Sequence, residues 1–473
     1  MAEHSNPRSH IIVGDGITAL AFLENCRGQD LREITLIGQS ASEFGRGVAY
    51  AKGEVDTPWR FAYLLNSPAD DIDPRFAQWL GDRWPRLRDT MTGRSPNWLA
   101  AAAPLIEAGD LYGVNAPREF YGDFMQEQAD ALIAQLEADG TRVIRVEDDA
   151  VSIRVAPNEV TVRSASGKTL SAQSVDVAPG GPSTMRIDGD DGAHSVPTVF
   201  GNEHRIAEHI KRGAEIFCIG GNAAMLDVLR LCQSLRADHE IRFVACAPDG
   251  EVPAALVPRL PRKLTVPNLT KGHETAQTFL AEIEREISSA KAACDDMREI
   301  RAGFRAHFLD TPLHHYVSDP TEALKIAGRL RFWLRGGTRD TILDMHRLLD
   351  AGQVRIVKGL VKSVESEADA AVVTVVDEDG REARIPTGFV INCAGAGPNS
   401  RFDTLTEDML SQGLISRCET SLGLKVAAGC KTRTPAIRYL SPAVSQIGEE
   451  VVAMPLYDAH MLRTYVGRSS LER

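Results

Sequence analysis

The sequence lacks several patterns that would place it in other classes of protein. It has eight cysteines among 473 residues but no Cys-x-x-Cys pair, which argues against a thioredoxin-like dithiol and a zinc ribbon. No apolar run approaches the ~18 residues of a membrane span. No Gly-x-Ser-x-Gly elbow indicates a hydrolase, and no Walker lysine follows a glycine loop. Adjacent His314 and His315 have poor spacing for metal ligands, so we expect no metal.

Charge and composition narrow the class further. The net charge of −12 argues against nucleic acid or an anionic membrane as the main partner. Apolar residues make up 43% and charged residues 25%, which is ordinary for a soluble globular protein. The polar first ten residues lack a signal-peptide core, so we expect a cytoplasmic protein. The expected partner is a small-molecule substrate, and a homo-oligomer is left open.

The most informative pattern present is a strand-turn-helix near the start. An apolar run over residues 10–13 leads into a Gly-x-Gly-x-x-Ala turn and an apolar-periodic helix. Gly14 permits the tight turn, Gly16 lets the backbone approach a pyrophosphate, and Ala19 allows close helix-strand packing. The helix N-terminus supplies amide donors and the positive end of a dipole. This context predicts a dinucleotide site, and its cofactor would carry the chemistry.

A second strand-turn-helix lies about 200 residues further on, over residues 215–227. Gly220 and Gly221 follow the apolar strand, but Asn222 stands where the second glycine would be. We therefore expect either a turn of different conformation or weaker binding of a pyrophosphate at this turn. The strand that follows ends without charge at residues 245–248, so it does not distinguish NADP from NAD.

Two such units predict an α/β fold with two Rossmann-like dinucleotide-binding domains, the first discontinuous, and with a helical insert. Two later strands end in small residues, at Ala178-Pro179-Gly180 and at residues 389–395, which end in Gly395. The expected organisation is an FAD domain, an NAD(P)-type domain with an insert near 255–350, and the return of the first domain, at residues 1–200, 201–380 and 381–473.

Four further segments of the chain form a recognisable set of local patterns. They are Phe44-Gly45-Arg46-Gly47-Val48-Ala49-Tyr50, Leu64-Leu65-Asn66-Ser67-Pro68-Ala69, Pro117-Arg118-Glu119-Phe120-Tyr121-Gly122-Asp123-Phe124 and Val390-Ile391-Asn392-Cys393-Ala394-Gly395. These segments resemble a bacterial family of FAD/NAD(P)-binding flavoproteins with two dinucleotide-binding domains. More distantly, the chain is similar to the flavin-dependent N-hydroxylating monooxygenases. The resemblance implies FAD as cofactor, with NADP or NAD as a less secure second one.

The resemblance also implies roles for individual residues. Arg46 would lie along the pyrophosphate or flavin, because a guanidinium suits phosphate. Asn66 would lie near the flavin ring and is the expected catalytic residue. The remaining expected cofactor contacts are Gly14, Gly16, Thr18 and Ala19 at the pyrophosphate, Gln39 at the ribose, the backbone of Val151 at the adenine, Ala178, Gly180 and Gly395 at strand ends, and Gly220, Gly221 and Asn222 at the nicotinamide dinucleotide.

The departures from the family pattern leave three functional interpretations open. The acidic ribose ligand expected after the second strand is replaced near Gln39, and Tyr439-Leu440-Ser441-Pro442 stands where a Gly-Asp or Gly-Pro segment is usual. The leading prediction is an NAD(P)H-driven FAD monooxygenase acting on a small polar metabolite, at an amine nitrogen. The alternatives are a flavin dehydrogenase or oxidase without nicotinamide, and a repurposed fold that has lost flavin.

Overall fold

The computed structural model describes residues 8–181, 184–185, 187–256, 264–395, 400–419, 423–453 and 459–468. In this part of the chain the strands are β1 (Ser9–Val13), β2 (Glu33–Gly38), β3 (Arg142–Glu147), β4 (Ala150–Ala156), β5 (Glu159–Ser164), β6 (Thr169–Ala172), β7 (Ser174–Val177), β8 (Thr184–Met185), β9 (Ser195–Val196), β10 (Ile216–Ile219), β11 (Phe243–Ala247), β12 (Ala254–Leu256), β13 (Gly336–Thr338), β14 (Val354–Lys358), β15 (Leu360–Ser366), β16 (Ala371–Val376), β17 (Glu382–Thr387), β18 (Phe389–Asn392), β19 (Ser400–Arg401), β20 (Ser416–Arg417), β21 (Leu424–Val426), β22 (Ile437–Tyr439), β23 (Val444–Ile447) and β24 (Glu450–Val451). The helices of the same residues are α1 (Ile17–Glu24), α2 (Ala69–Ile72), α3 (Pro74–Met91), α4 (Pro96–Glu107), α5 (Arg118–Ala138), α6 (Glu203–Lys211), α7 (Ala223–Leu235), α8 (Ala276–Ala292), α9 (Met297–Asp310), α10 (Pro320–Trp333), α11 (Arg339–Asp350), α12 (Thr404–Ser411) and α13 (Ala459–Arg468).

The first sheet has five parallel strands in the order β22-β7-β1-β2-β3. Its central strand β1 is buried from His10 to Val13, as expected for a parallel sheet covered on both faces. The strand that completes one edge, β22, comes from the C-terminal part of the chain. The first unit is therefore discontinuous, as predicted.

The second sheet is also parallel, with the order β14-β11-β10-β18-β9. Strands β10, β11 and β18 are buried along their whole length. Their sequences are short apolar runs, and such runs are typical of central strands in a doubly wound sheet. Helices α6, α7 and α11 pack their apolar stripes against this unit.

Smaller elements surround the two sheets. The three-stranded antiparallel sheet β4-β5-β6 belongs to the first unit, and β15-β16-β17 packs on the second. Helices α8, α9 and α10 form the predicted helical insert and share the core of the first unit. None of the helices in the described residues is long and apolar enough to cross a bilayer.

Sheet membership differs from the expected division of the chain at two places. Strand β9, before residue 200, and strand β18, after residue 381, both pair within the second sheet. Gly395 consequently lies beyond the end of β18, beside the second dinucleotide turn. The local sequence of a buried apolar strand does not indicate which sheet the strand joins, because its partner strands are distant in sequence.

Candidate dinucleotide sites

The first glycine turn lies where β1, β2 and β7 end together. The amide of Gly14 donates to Ile37 O at 2.8 Å, and the amide of Ala178 donates to Val13 O at 2.8 Å. Gly14 has φ +103°, and a Cβ there would lie 2.0 Å from Ala178 O. Only glycine satisfies both conditions, since other residues rarely adopt this φ. Ala178 and Gly14 therefore meet at the carboxyl edge of the sheet, where ligands bind in such folds.

The loop that carries the Gly-Arg-Gly segment closes over this turn. Gly45 has φ +105°, and its amide donates to Asp15 O at 2.8 Å. A Cβ added to Gly47 would lie 2.9 Å from the Cα of Gly16, so the two backbones are in close contact. The loop also packs closely against α5 at Gly122, because a Cβ at this position would lie 2.2 Å from Tyr50 O.

Helix α1 begins at this turn without a side-chain cap among the described residues. Gly16 is its N-cap with φ −93° and ψ −172°, and the first turn contains no acidic residue. The amides at residues 17–19 therefore lack the internal acceptor that a Ser, Asp or Asn cap would supply. Thr18 and Ala19 are buried in this turn. A pyrophosphate would satisfy these amides, so the turn fits the diphosphate of FAD.

The end of β2 has an acidic environment that the sequence pattern missed. Asp15 Oδ2 accepts the amide of Ser40 at 2.7 Å, and a Cβ on Gly38 would lie 2.8 Å from the same oxygen. Burial raises the pKa of Asp15, the Ser40 amide opposes the rise, and Asp149 adds to it. Gln39 is exposed, and its Nε2 donates to Asp149 Oδ2 at 2.9 Å.

Val151 lies beside this acidic group. The register between β4 and β5 shifts between Ala150 and Ser152, so Val151 has no paired residue on the neighbouring strand. The strand therefore has a bulge at Val151. The role of Val151 and that of Gln39 remain predictions.

Arg46 is placed differently from the expectation. Its side chain is only 5% exposed and forms an ion pair with Asp123 of α5. Its Nε donates to Gln126 Oε1 at 2.7 Å, and Nη1 contacts the carbonyls of Tyr50 and Glu119 at 3.5 Å. The guanidinium therefore holds the loop onto α5, and a pyrophosphate contact would have to replace these bonds. Asp123 lies 77 residues away in the chain, and no local pattern indicates that it pairs with Arg46.

Asn66 lies in a loop whose backbone is fixed on both sides. Leu65 donates to Ala116 O at 2.9 Å, Asn115 Nδ2 donates to Leu65 O at 2.9 Å, and Arg118 Nε donates to Leu64 O at 3.1 Å. Asn66 itself is half-buried. Across the described ranges, its carboxamide has no hydrogen bond. This geometry leaves the amide available to a ligand.

The second turn repeats the first despite its altered sequence. Gly220 has φ +101°, and a Cβ there would lie 3.0 Å from Cys393 O and from the amide of Ala394. Asn222 is the N-cap of α7 with φ −107° and ψ −173°, nearly the values of Gly16. The turn does not need glycine at this position for its shape. Within the part of the chain that is described, α7 also lacks a side-chain cap.

Gly221 and the residues after β11 form one wall of this second site. A Cβ on Gly221 would lie 2.9 Å from the Cβ of Ala247, so the turn packs directly against the end of β11. Asp249 follows this strand and pairs with Arg335. The basic residues further along the chain, Arg259, Arg262 and Lys263, lie outside the described residues. Gly180, with φ +81°, has open space around its Cα, so its contact with the cofactor stays a prediction.

A buried ion pair joins the two units close to Asn66. Arg118 at the start of α5 donates from Nη2 to Asp227 of α7 at 2.8 Å, and its guanidinium lies over Phe200 at 5.2 Å. Burial raises the pKa of Asp227 to about 6, although Arg118 and Arg230 act to lower it. Sequence reasoning did not connect these residues, which are 109 positions apart.

A second buried cluster crosses the first sheet at the amino-terminal half of β1. Asp176 accepts from His10 Nε2 at 2.9 Å and from Arg438 Nε at 2.6 Å, and it is 1% exposed. His10, Cys26 and Asp176 have their ligand atoms within 4.8 Å of one another, as in a metal site. The guanidinium of Arg438 already neutralises this carboxylate, so the group is better described as an ion cluster that links three strands.

Comparison with known proteins supports the class that this geometry suggests. Residues 11–182 match a family model described as FAD-NAD(P)-binding. Comparison with curated protein sequences gives no match. The family model covers the first turn, the β2 edge and the strand that ends at Ala178. This part of the chain is an FAD/NAD(P)-binding domain, and FAD with NAD(P) is the cofactor class.

Several solved structures share the fold over nearly the whole chain. The FAD-bound cadaverine monooxygenase of Erwinia amylovora has 13% identity and a TM-score of 0.53, covering 99% of this chain and 95% of its own. L-lysine 6-monooxygenase from Pseudomonas syringae has 14% identity and a TM-score of 0.50, covering 98% and 97%. Lysine monooxygenase from Nocardia farcinica has 13% identity and a TM-score of 0.50, covering 98% and 99%.

Identities this low establish the shared fold and no more. The chain has the fold of FAD/NAD(P)-binding oxidoreductases, with two Rossmann-like units and a helical insert. The predicted resemblance to this class and to the N-hydroxylating monooxygenases is confirmed at the level of fold.

Proposed function

We propose that the chain is an NAD(P)H-driven FAD monooxygenase that hydroxylates an amine nitrogen of a small polar metabolite. The observation that carries the proposal is the presence of two dinucleotide turns of matching backbone shape, each with an uncapped helix and each at the edge of its own parallel sheet. Two such turns suit one flavin dinucleotide and one nicotinamide dinucleotide. This favours the use of nicotinamide over an oxidase that needs only flavin.

The residues of the chain have separate tasks in this scheme. Gly14, Gly16 and the free amides of α1 would hold the FAD diphosphate, and Gly220 with the amides of α7 would hold that of NAD(P)H. When bound, FAD would supply the redox chemistry, taking two electrons from NAD(P)H and using them on O₂. One oxygen atom goes to the amine and the other leaves as water, with one proton consumed.

Asn66 would position the substrate or the flavin ring through its unengaged carboxamide. The loop around it is held by hydrogen bonds to residues 114–118, so the backbone that carries the carboxamide is fixed before a ligand arrives. Preorganised donors of this kind stabilise a reacting group without further ordering cost. Amines such as lysine and cadaverine, which the structurally similar enzymes are named for, are the first substrates to test.

The test has two stages on the full chain. Purified protein is given FAD, and its flavin spectrum is recorded while NADH or NADPH is added without oxygen. Air and lysine or cadaverine follow, and hydroxylamine product is counted against NAD(P)H consumed. The proposal expects flavin uptake, bleaching by a nicotinamide, and one product for each NAD(P)H. Reduction only by a metabolite would select the oxidase alternative, and absence of flavin uptake would select the repurposed fold.

Asn66→Ala tests the positioning role, with Asn97→Ala as the matched control because Asn97 is exposed on α4. Loss of one hydrogen bond corresponds to about a two- to tenfold loss in product formation. Flavin content should be unchanged in both variants, because the donors to the diphosphate lie at the first glycine turn, and reduction by NAD(P)H should be unchanged in Asn97→Ala. Equal product yields in the two variants would remove Asn66 from the proposal.

A further inference from the structure

No acidic residue directly follows β2, but a carboxylate from the glycine turn lies at the end of this strand. In folds of this class an acidic residue at the end of the second strand binds the adenosine ribose hydroxyls. Here Gln39 occupies that region, and its amide group donates to Asp149. Asp15, the middle residue of Gly14-Asp15-Gly16, lies instead with its carboxylate against Gly38 and the amide of Ser40.

We propose that Asp15 is the ribose-binding carboxylate of the FAD site and sets its preference for an intact adenosine ribose. The inference depends on the FAD/NAD(P)-binding domain and not on the proposed reaction. It concerns the variable position between the two glycines, to which the sequence pattern assigns no role.

Geometry provides the first support. Asp15 Oδ2 accepts the Ser40 amide at 2.7 Å, two residues beyond the end of β2. A Cβ on Gly38 would collide with this oxygen at 2.8 Å, so the glycine that ends β2 makes room for the carboxylate. One hydrogen bond leaves most of the acceptor capacity of a carboxylate unused. Ribose hydroxyls are donors that match these acceptors.

Charge provides the second support. A carboxylate in a pyrophosphate turn would repel the ligand if it were directed at the phosphates. The contacts with Gly38 and Ser40 turn it toward β2 and away from the amides of α1. Asp149 lies at the same end of β2, where it accepts from Gln39. Together the two carboxylates outline the adenosine end of the site.

The test measures how well ADP and 2′,3′-dideoxy-ADP displace FAD from the full-length holoprotein. Displaced flavin is counted in an ultrafiltrate, so binding at the second turn does not enter the result. We expect the wild type to require about ten times less ADP than dideoxy-ADP, a ratio typical of hydrogen bonds to a charged acceptor. In Asp15→Asn the ratio should fall to near one, because the charged acceptor is lost.

The matched control is Asp148→Asn. Asp148 is a half-buried carboxylate in the neighbouring turn, and it accepts hydrogen bonds from the amide and the hydroxyl of Ser166. This variant should keep the wild-type ratio. Asp149→Asn should keep most of it as well.

Several results would overturn the proposal. A wild-type ratio near one does so without any variant, which covers the case in which Asp15→Asn fails to fold. A ratio that survives in Asp15→Asn, even with weaker binding of both nucleotides, assigns Asp15 to shaping the turn only. A ratio lost in Asp149→Asn and kept in Asp15→Asn moves the role to Asp149.

Discussion

Replacement of Asp176 by asparagine tests the ion cluster inside the first sheet. Asp176 on β7 accepts from His10 on β1 and from Arg438 on β22, so it connects three adjacent strands. Asparagine has nearly the same shape but removes the negative charge. Two buried cationic side chains would then face each other without compensation.

The expected cost follows from burial. The side chains of Asp176, His10 and Arg438 are 2%, 6% and 8% exposed. Removal of one partner from a buried ion pair costs about 3–5 kcal/mol, because an uncompensated charge stays in the interior. At about 2–4 °C for each kcal/mol, the midpoint of thermal unfolding of this unit should fall by roughly 6–20 °C. An exposed control, Asp30→Asn, should leave it within about 2 °C.

The pH dependence gives an independent check with a fixed sign. Burial opposes the charge on His10, but Asp176 outweighs it and raises the pKa of His10 to about 10. Burial also opposes the charge on Asp176, and His10 with Arg438 lower its pKa to about 2. Because its pKa is raised, His10 stabilises the fold fully below pH ~6.5, and this contribution is lost as the pH rises toward 10. Because its pKa is lowered, Asp176 stabilises the fold above pH ~3.8, and this contribution is lost as the pH falls toward 2.

The assay is urea unfolding of flavin-free protein between pH 3 and 10, followed by circular dichroism. The difference in free energy of unfolding between wild type and Asp176→Asn should be largest between about pH 4 and 6.5. A triple apolar variant, His10→Leu, Asp176→Leu and Arg438→Met, should recover much of the loss, since the buried charges disappear together. A difference no larger than that of Asp30→Asn at pH 6 would refute this account of the cluster.

Three further predictions concern the turns and the contact between the units. Gly14→Ala should abolish FAD retention on gel filtration, because its Cβ would lie 2.0 Å from Ala178 O; retained flavin would contradict it. Asn222→Gly should lower the Kd for NAD(P)H by several-fold, measured by fluorescence titration, because the turn keeps its shape and loses only a side chain near the ligand path. The free energy of unfolding of the wild type should rise relative to that of Asp227→Asn as the pH falls from about 6 to 4, because a carboxyl group with a raised pKa takes up its proton more readily in the folded state. A difference in urea midpoint between the two proteins that does not change with pH would contradict this.

The elements that could be predicted are those specified by neighbouring residues. The glycine turns, the long helix that begins at Arg118 and the apolar strands follow from local periodicity and composition. The sheet to which β18 belongs does not, because the apolar residues of Phe389–Asn392 would suit either parallel sheet. Its partner β10 lies about 170 residues earlier in the chain, and no local feature indicates this pairing.

The same limit explains which site residues were missed. Asp15 was visible only as the variable position of a glycine motif, while its acceptor role depends on Ser40, 25 residues away. We expected Arg46 to contact a phosphate because guanidinium groups bind phosphate, but its guanidinium forms an ion pair with Asp123 of α5. Asp227 and Arg118 each resemble ordinary charged helix residues until the two units are brought together.

The departures from the family pattern share a physical property that bears on whether flavin is retained. Asn222 has the backbone angles of Gly16, so its turn is intact. Gln39 follows a strand end where Asp15 supplies a carboxylate. Pro442 packs against Gly181, with a Cβ on that glycine 3.3 Å away, so the altered C-terminal segment still lies beside the end of β7. Each departure changes a side chain near the ligand path and leaves the backbone cradle in place. Such changes shift affinity and specificity while keeping the donors that hold a diphosphate, which favours a working flavin site over a fold that has lost one.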